Sequence, residues 1–212
     1  ADASTWRRNT NGTYTGTLFA IPDRGPNGIG PIVGTTAFQN RVEVLGMTFT
    51  PYTGPTATTP TQLGLVLTSG FFLRDAPGVT FTGKDAGAGT ITRGGFPYPL
   101  PAAGEGAGHI SMDSEAITRL RDGTFYVADE YAAGIYYFGA DGVPLGGIQA
   151  TPALLPRTGG VINFNGDNPP DTGRRNNQGL EAITVTPDQK RLVTVLQSAT
   201  IQDNPSGQDQ NR

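Results

Sequence analysis

The chain has 212 residues, with 31 glycines, 17 prolines, no cysteine and a net charge of −3 at pH 7. The lack of cysteine excludes disulfide staples and thiolate chemistry, and the charge balance offers no basic surface for nucleic acid. No apolar run approaches the roughly 20 residues of a membrane-spanning helix. Glycine and proline at this density break helices, and the apolar stretches favour Thr, Val, Phe, Tyr and Ile, so the expected class is all-β with long loops.

The start, Ala1-Asp2-Ala3-Ser4-Thr5, is small and polar, as a mature end left by processing would be. Residues 3–23 read as a hairpin turned at Asn11-Gly12, a pair that tolerates positive φ. Asn11-Gly12-Thr13 is also a glycosylation sequon, whereas Asn204-Pro205-Ser206 is closed by its proline. The second strand, 13–21, runs into a Gly/Pro-dense loop at 22–28. Residues 41–50 form a further strand and 62–68 another, with 71–73 close behind. Residues 84–108 are expected to be one long loop, with the single histidine, His109, directly after it. Loops beyond roughly 15 residues are uncommon in compact domains unless functional. A hairpin follows at 115–128, turned at Asp122-Gly123, then a strand at 134–138. A second long loop covers 156–179. The tail, 202–212, is polar and reads as mobile or as a cleavage site.

The organising signal is a partial repeat. Glu115-Ala116-Ile117-Thr118 returns as Glu181-Ala182-Ile183-Thr184, each followed by a turn and a return strand. With the first hairpin this makes three related hairpins, centred on Gly12, Gly123 and Asp188. Such repetition predicts a β-propeller of four-stranded antiparallel blades, each about 40–45 residues plus insertions; a β-sandwich with chance similarity is the alternative. Residues 1–201 would hold two blades and the inner hairpin of a third. Propellers have about 4–8 blades, so this chain supplies only part of the ring. A second polypeptide, the C-terminal part of the same precursor after a cut in the tail, would complete it and cover the bare sheet edge.

Blade geometry places the start of each first strand and each second-to-third loop on one face. Glu115 and Glu181 begin inner strands, Asp129 and Glu130 sit in a second-to-third loop, and Asp23 and Arg24 hold the same place in the first blade. Arg174, Arg175, Asn176 and Asn177 lead into Glu181. Clustered carboxylates repel, and a divalent cation with oxygen ligands, arginines or retained protons can balance them. His109 cannot build a three-histidine zinc site and reads as a loop residue.

The pieces Pro22–Asn27 (PDRGPN), 41–51 (RVEVLGMTFTP), 70–83 (GFFLRDAPGVTFTG), 112–142 (MDSEAITRLRDGTFYVADEYAAGIYYFGADG) and 174–199 (RRNNQGLEAITVTPDQKRLVTVLQSA) resemble the phytase-like family, the "esterase-like activity of phytase" domain. The resemblance implies a propeller longer than this chain, secreted or periplasmic if bacterial, with acidic motifs on Asp23, Glu115, Asp129, Glu130 and Glu181 and with Arg174, Asn177 and Gly179 beside the last. Gln197 and Ser4 depart from a strictly repeated acidic pattern.

The resulting expectation is a secreted ester hydrolase, phosphoesterase-like. Asp23, Glu115, Asp129 and Glu181 would hold Ca2+ or a similar cation, Glu130 would act as general acid or base, and Arg24, Arg174, Arg175 and Asn177 would hold an anionic substrate. The rivals are a non-catalytic extracellular binding module with a structural metal, and a lactonase-like propeller enzyme.

Overall fold

The computed structural model describes residues 2–26, 34–52, 54, 62–75, 78–93, 95–166 and 168–205. Asn27 and most of the polar tail lie outside them. Every regular element among the described residues is a strand, and no helix there is long and apolar enough to cross a membrane.

The first sheet is an antiparallel meander of β1 (Asp2–Arg8), β2 (Tyr14–Ala20), β3 (Arg41–Phe49) and β4 (Leu63–Phe72). β2 and β3 stay in register from Tyr14↔Phe49 to Ala20↔Glu43. The segments expected at 62–68 and 71–73 are one strand, because the slip between Val44 and Leu45 leaves Thr68 of β4 as an extra residue. A bulge of this kind bends a strand without ending it. Gly70 is needed there, since a Cβ would lie 2.9 Å from the Val42 carbonyl oxygen.

The segment at 84–108 is not all loop. It carries a hairpin of β5 (Thr90–Arg93) and β6 (Phe96–Pro99). Pro97 and Pro99 hid this strand, because proline cannot donate to a ladder; in a two-stranded sheet each strand is an edge, so the missing donors can face away.

The second sheet is again a four-stranded meander: β7 (Ser114–Arg119), β8 (Phe125–Asp129), β9 (Gly134–Phe138) and β10 (Pro144–Ile148). β10 was not foreseen, since Pro-Leu-Gly-Gly-Ile has little strand propensity and is held by its pairing with β9. The second long segment contains a small hairpin, β11 (Arg157–Thr158) and β12 (Val161–Ile162). The chain then forms β13 (Leu180–Val185) and β14 (Leu192–Leu196), paired around a turn in which Gln189 has a φ of 58°.

The main core lies between the first two sheets: Val42, Leu73, Phe81, Met112, Phe125, Val127, Tyr136 and Phe138 are buried together. Phe81 meets Tyr136 and Phe138 edge-on, with centroids 5.8 and 5.7 Å apart, a geometry that suits ring quadrupoles. A second cluster of Ala128, Ile135, Leu180 and Ile183 joins the second sheet to β13–β14. Thus the repeated Ile183 is core, while β13 comes to lie beside β7 and β8.

Candidate functional site

The two repeated glutamates share a backbone device. Along β7, Ser114 pairs with Asp129 and Ala116 with Ala128, so Glu115 is one residue too many for the ladder. Along β13, Leu180 pairs with Leu196 and Ala182 with Val195, so Glu181 is the extra residue there. Bulges re-aim side chains. Here they turn both carboxylates out of the strand alternation at the same level of adjacent sheets.

Two trios result. Asp23, Asp113 and Glu115 each offer a carboxylate oxygen within 4.8 Å of the others, as do Glu115, Glu130 and Glu181. Glu115 is common to both. Oxygens bound at about 2.3–2.6 Å to one Ca2+ can be no more than about 5 Å apart, so either trio fits such an ion. Asp113 was missed as a site residue. Its signal was present, because it stands in the same acidic turn as Glu115, two residues before it.

Arg24 is the cation beside these acids. Its Nη1 lies 2.5 Å from Asp113 Oδ2 and 3.8 Å from Glu130 Oε2, and it also donates to Asn177 Oδ1. The Arg24 backbone N–H adds a bond to Asp113 Oδ1 at 3.2 Å. Asn177 holds a φ of 50°, a conformation asparagine tolerates better than most residues. Glu130 is almost fully buried. Its Oε1 accepts the Gly179 N–H at 3.4 Å. With its amide nitrogen toward the acid, Gln197 donates to the same oxygen and to the Asn177 carbonyl, both at 3.0 Å. Where an acid was expected at 197, an amide is required, because Glu130 needs a donor and not a third charge. Gly179 permits this approach: a Cβ there would lie 2.1 Å from the Glu130 carbonyl oxygen.

Other expected roles do not match the geometry. Asp129 belongs to neither trio. Its Oδ1 accepts the N–H groups of Asp113 (2.9 Å) and Tyr131 (3.1 Å), and its Oδ2 accepts the Ala132 N–H (3.0 Å) and the Tyr136 hydroxyl (3.3 Å). With four donors on two oxygens, it shapes the β8–β9 turn and has little capacity left for an ion. Arg174 is fully buried and cannot reach a substrate. Its guanidinium donates to the carbonyls of Tyr131 (3.0 Å), Phe164 (3.0 Å) and Arg175 (3.1 Å). Arg175 donates to the Asn204 carbonyl. His109 lies with Nδ1 2.7 Å from the Thr80 carbonyl oxygen, outside both trios.

The crowding shows in the proton affinities. Glu115 is pushed up to about 9, by desolvation first and then by Asp113, Glu130, Asp23 and Glu181. Asp23, at the exposed rim, rises to about 6 through desolvation and then Asp113. Burial also raises Asp113 and Glu130, against the pull of Arg24. Asp129 is pushed up to about 7 by burial, opposed by its backbone donors. The acids are thus over-charged for one arginine, and protons or a cation must make up the balance.

A cavity of about 560 Å³ lies elsewhere, at the far ends of β7 and β13. Its charged groups already have partners: Arg119 pairs with Asp2 at 2.7 Å, and Arg121 donates to the Pro187 carbonyl at 2.7 Å. The uncompensated groups are at the acidic rim.

Antiparallel sheets that gather carboxylates at their strand starts define an all-β protein with an anionic rim. The chain belongs to the phytase-like family: the family model described as "Esterase-like activity of phytase" matches residues 10–212. It is 37% identical over 227 residues to a protein of Arthroderma benhamiae described as an "uncharacterized secreted protein", a match covering 95% of this chain and 44% of that relative. The chain therefore spans less than half the length of that curated relative, and the secreted location read from the sequence agrees with its description. No solved structure matches.

Proposed function

We propose that the acidic rim binds a divalent cation, Ca2+ by its all-oxygen ligands, and that the protein is a secreted ester hydrolase. The observation that carries this is the pair of trios sharing Glu115. When bound, the ion supplies Lewis acidity for an ester oxygen and lowers the pKa of water. The chain's residues set the rest. Arg24 and Gln197 fix the carboxylates of Asp113 and Glu130. Glu115 would release its proton to hold the cation. Glu130, expected as acid or base, is better suited to holding the ion, because its burial and donors separate it from solvent. Glu181, exposed at the start of β13, is the member of its trio open to solvent, so water would reach an ion held beside it. Since Arg174 and Arg175 are engaged with carbonyls and Arg24 with Asp113, Glu130 and Asn177, an anionic ester such as a phosphate ester would be held chiefly by the cation.

The test is an ester panel, phosphate and carboxylate, with and without chelator, against the Glu115→Gln/Glu181→Gln double variant. Turnover that disappears with chelator supports the proposal. Turnover no higher than in the double variant removes the enzyme reading. Calcium binding without turnover would then leave a binding module whose ion is structural.

We also infer that the three sheets are blades of a propeller and that further polypeptide completes the ring. The β1–β4 and β7–β10 sheets have four strands each and the β13–β14 sheet has two. Val193 and Val195 of β14 are 52% and 55% exposed, and Leu65, Val66 and Leu67 of β4 are also open. Residues 1–212 expressed alone should therefore self-associate. A monodisperse monomer with exchange-protected β14 amides would argue against ring completion by another segment.

A further inference from the structure

We propose that Asn11 is an N-glycosylation site, carrying one N-linked oligosaccharide on the face opposite the acidic rim. The inference takes secretion through a eukaryotic pathway as its premise and is independent of any chemistry at the rim.

The β1–β2 turn presents this residue at a crest. The Asn9 N–H donates to the Thr13 carbonyl at 2.8 Å and the Gly12 N–H to the Asn9 carbonyl at 3.0 Å, with Gly12 at a φ of 82°. Asn11 is exposed. Its Oδ1 accepts both the Thr13 N–H at 3.1 Å and the Thr13 hydroxyl at 2.8 Å. Two donors on Oδ1 fix the orientation of the amide of this exposed residue. On the other side of the turn, Asn9 Nδ2 donates to Thr13 Oγ1 at 2.9 Å, so the sequon threonine is itself held in place. A Cβ built on Gly12 meets nothing within 4 Å, so the crest is open around the middle position. A large hydrophilic substituent there displaces no packed side chain.

The placement also separates the glycan from the site. β2 leaves this turn at Tyr14 and ends at Ala20, three residues before Asp23. The crest therefore lies about a strand's length, roughly 20 Å, from the rim. The second Asn-x-Ser triplet is closed by Pro205, so these residues provide a single acceptor.

The transfer forms a bond between Nδ2 and C1 of the reducing-end N-acetylglucosamine of a lipid-pyrophosphate-linked oligosaccharide. The C1–O bond to pyrophosphate breaks, the lipid pyrophosphate leaves with the electron pair, and Nδ2 gives up one proton.

The experiment is secretion of the chain from a yeast host, with intact mass before and after endoglycosidase. The wild type should lose the mass of one glycan. Thr13→Ser, which keeps the hydroxyl, should retain it; Thr13→Val and Asn11→Asp should lack it from the start. Asn11→Asp keeps an oxygen for the Thr13 N–H and so separates glycosylation from turn folding. Translation with microsomes reads the same modification without requiring a folded product. Calcium binding should be the same before and after glycan removal. A wild-type chain of unmodified mass in both systems, or a glycan that survives Asn11→Asp, would overturn the assignment.

Discussion

Glu115→Gln is expected to raise stability without calcium and lower it with calcium. The folded-state pKa of Glu115, about 9, is above the ordinary value of 4.5. Its protonated form therefore supports the fold fully below pH 4.5, and that support is lost progressively as the pH rises toward about 9. By pH 7 the linkage would reach roughly 3 kcal/mol for a fully enclosed group; because Glu115 is half-buried and partly screened by water, about 1 kcal/mol is the working figure. Glutamine mimics the protonated form and removes this cost. In chelator at pH 7 the variant should be more stable than wild type by about 1 kcal/mol, and at pH 4 the difference should vanish. Calcium at about 100 times its dissociation constant should stabilise the wild type by about 2.7 kcal/mol. The variant, with the residue common to both trios neutralised, should gain much less, so the order of the two proteins inverts. Urea unfolding at pH 4 and 7, with chelator and with calcium, reads all four conditions. A variant less stable than wild type in chelator at pH 7, or an order that calcium leaves unchanged, would refute the reasoning.

Asp129→Ala should destabilise by about 3 kcal/mol or more, since three backbone N–H groups and the Tyr136 hydroxyl lose their acceptor; urea unfolding should show this equally with and without calcium. Gly179→Ala forces a Cβ onto the Glu130 backbone and should cost about 2 kcal/mol, with weaker calcium binding measured by titration calorimetry. Arg24→Met breaks a largely buried ion pair with Asp113 and should cost about 3 kcal/mol in chelator, with calcium recovering part of the loss. Gln197→Glu places a carboxylate against Glu130, so its thermal midpoint should fall more at pH 7 than at pH 4.

The hairpins were legible in the chain because local chemistry dictates them. Asn11-Gly12 and Asp122-Gly123 specify turns, and alternating apolar residues on either side specify the strands they join. The repeat of Glu-Ala-Ile-Thr likewise placed two carboxylates at corresponding strand starts. Local propensity failed where partners compensate: β6 holds two prolines and β10 two adjacent glycines, yet pairing makes strands of both. The acidic motif was legible as a group, but its members could not be sorted. Asp129 and Glu130 are neighbours in sequence, and only the three-dimensional structure shows that backbone donors claim the first while the second joins Glu115 and Glu181 in a trio. Arg174 and Arg24 look equivalent as cations, but Arg174 is sealed under the carbonyls of Tyr131 and Phe164, while Arg24 reaches Asp113. Thus the sequence by itself determined the strands of the hairpins turned at Gly12, Gly123 and Asp188, their turns and the level of the acidic residues, because those follow from neighbours along the chain. Which acids converge on one point was decided by bulges and by contacts between segments as distant as Arg24 and Asn177, because packing of separate sheets sets those distances and no local pattern encodes them.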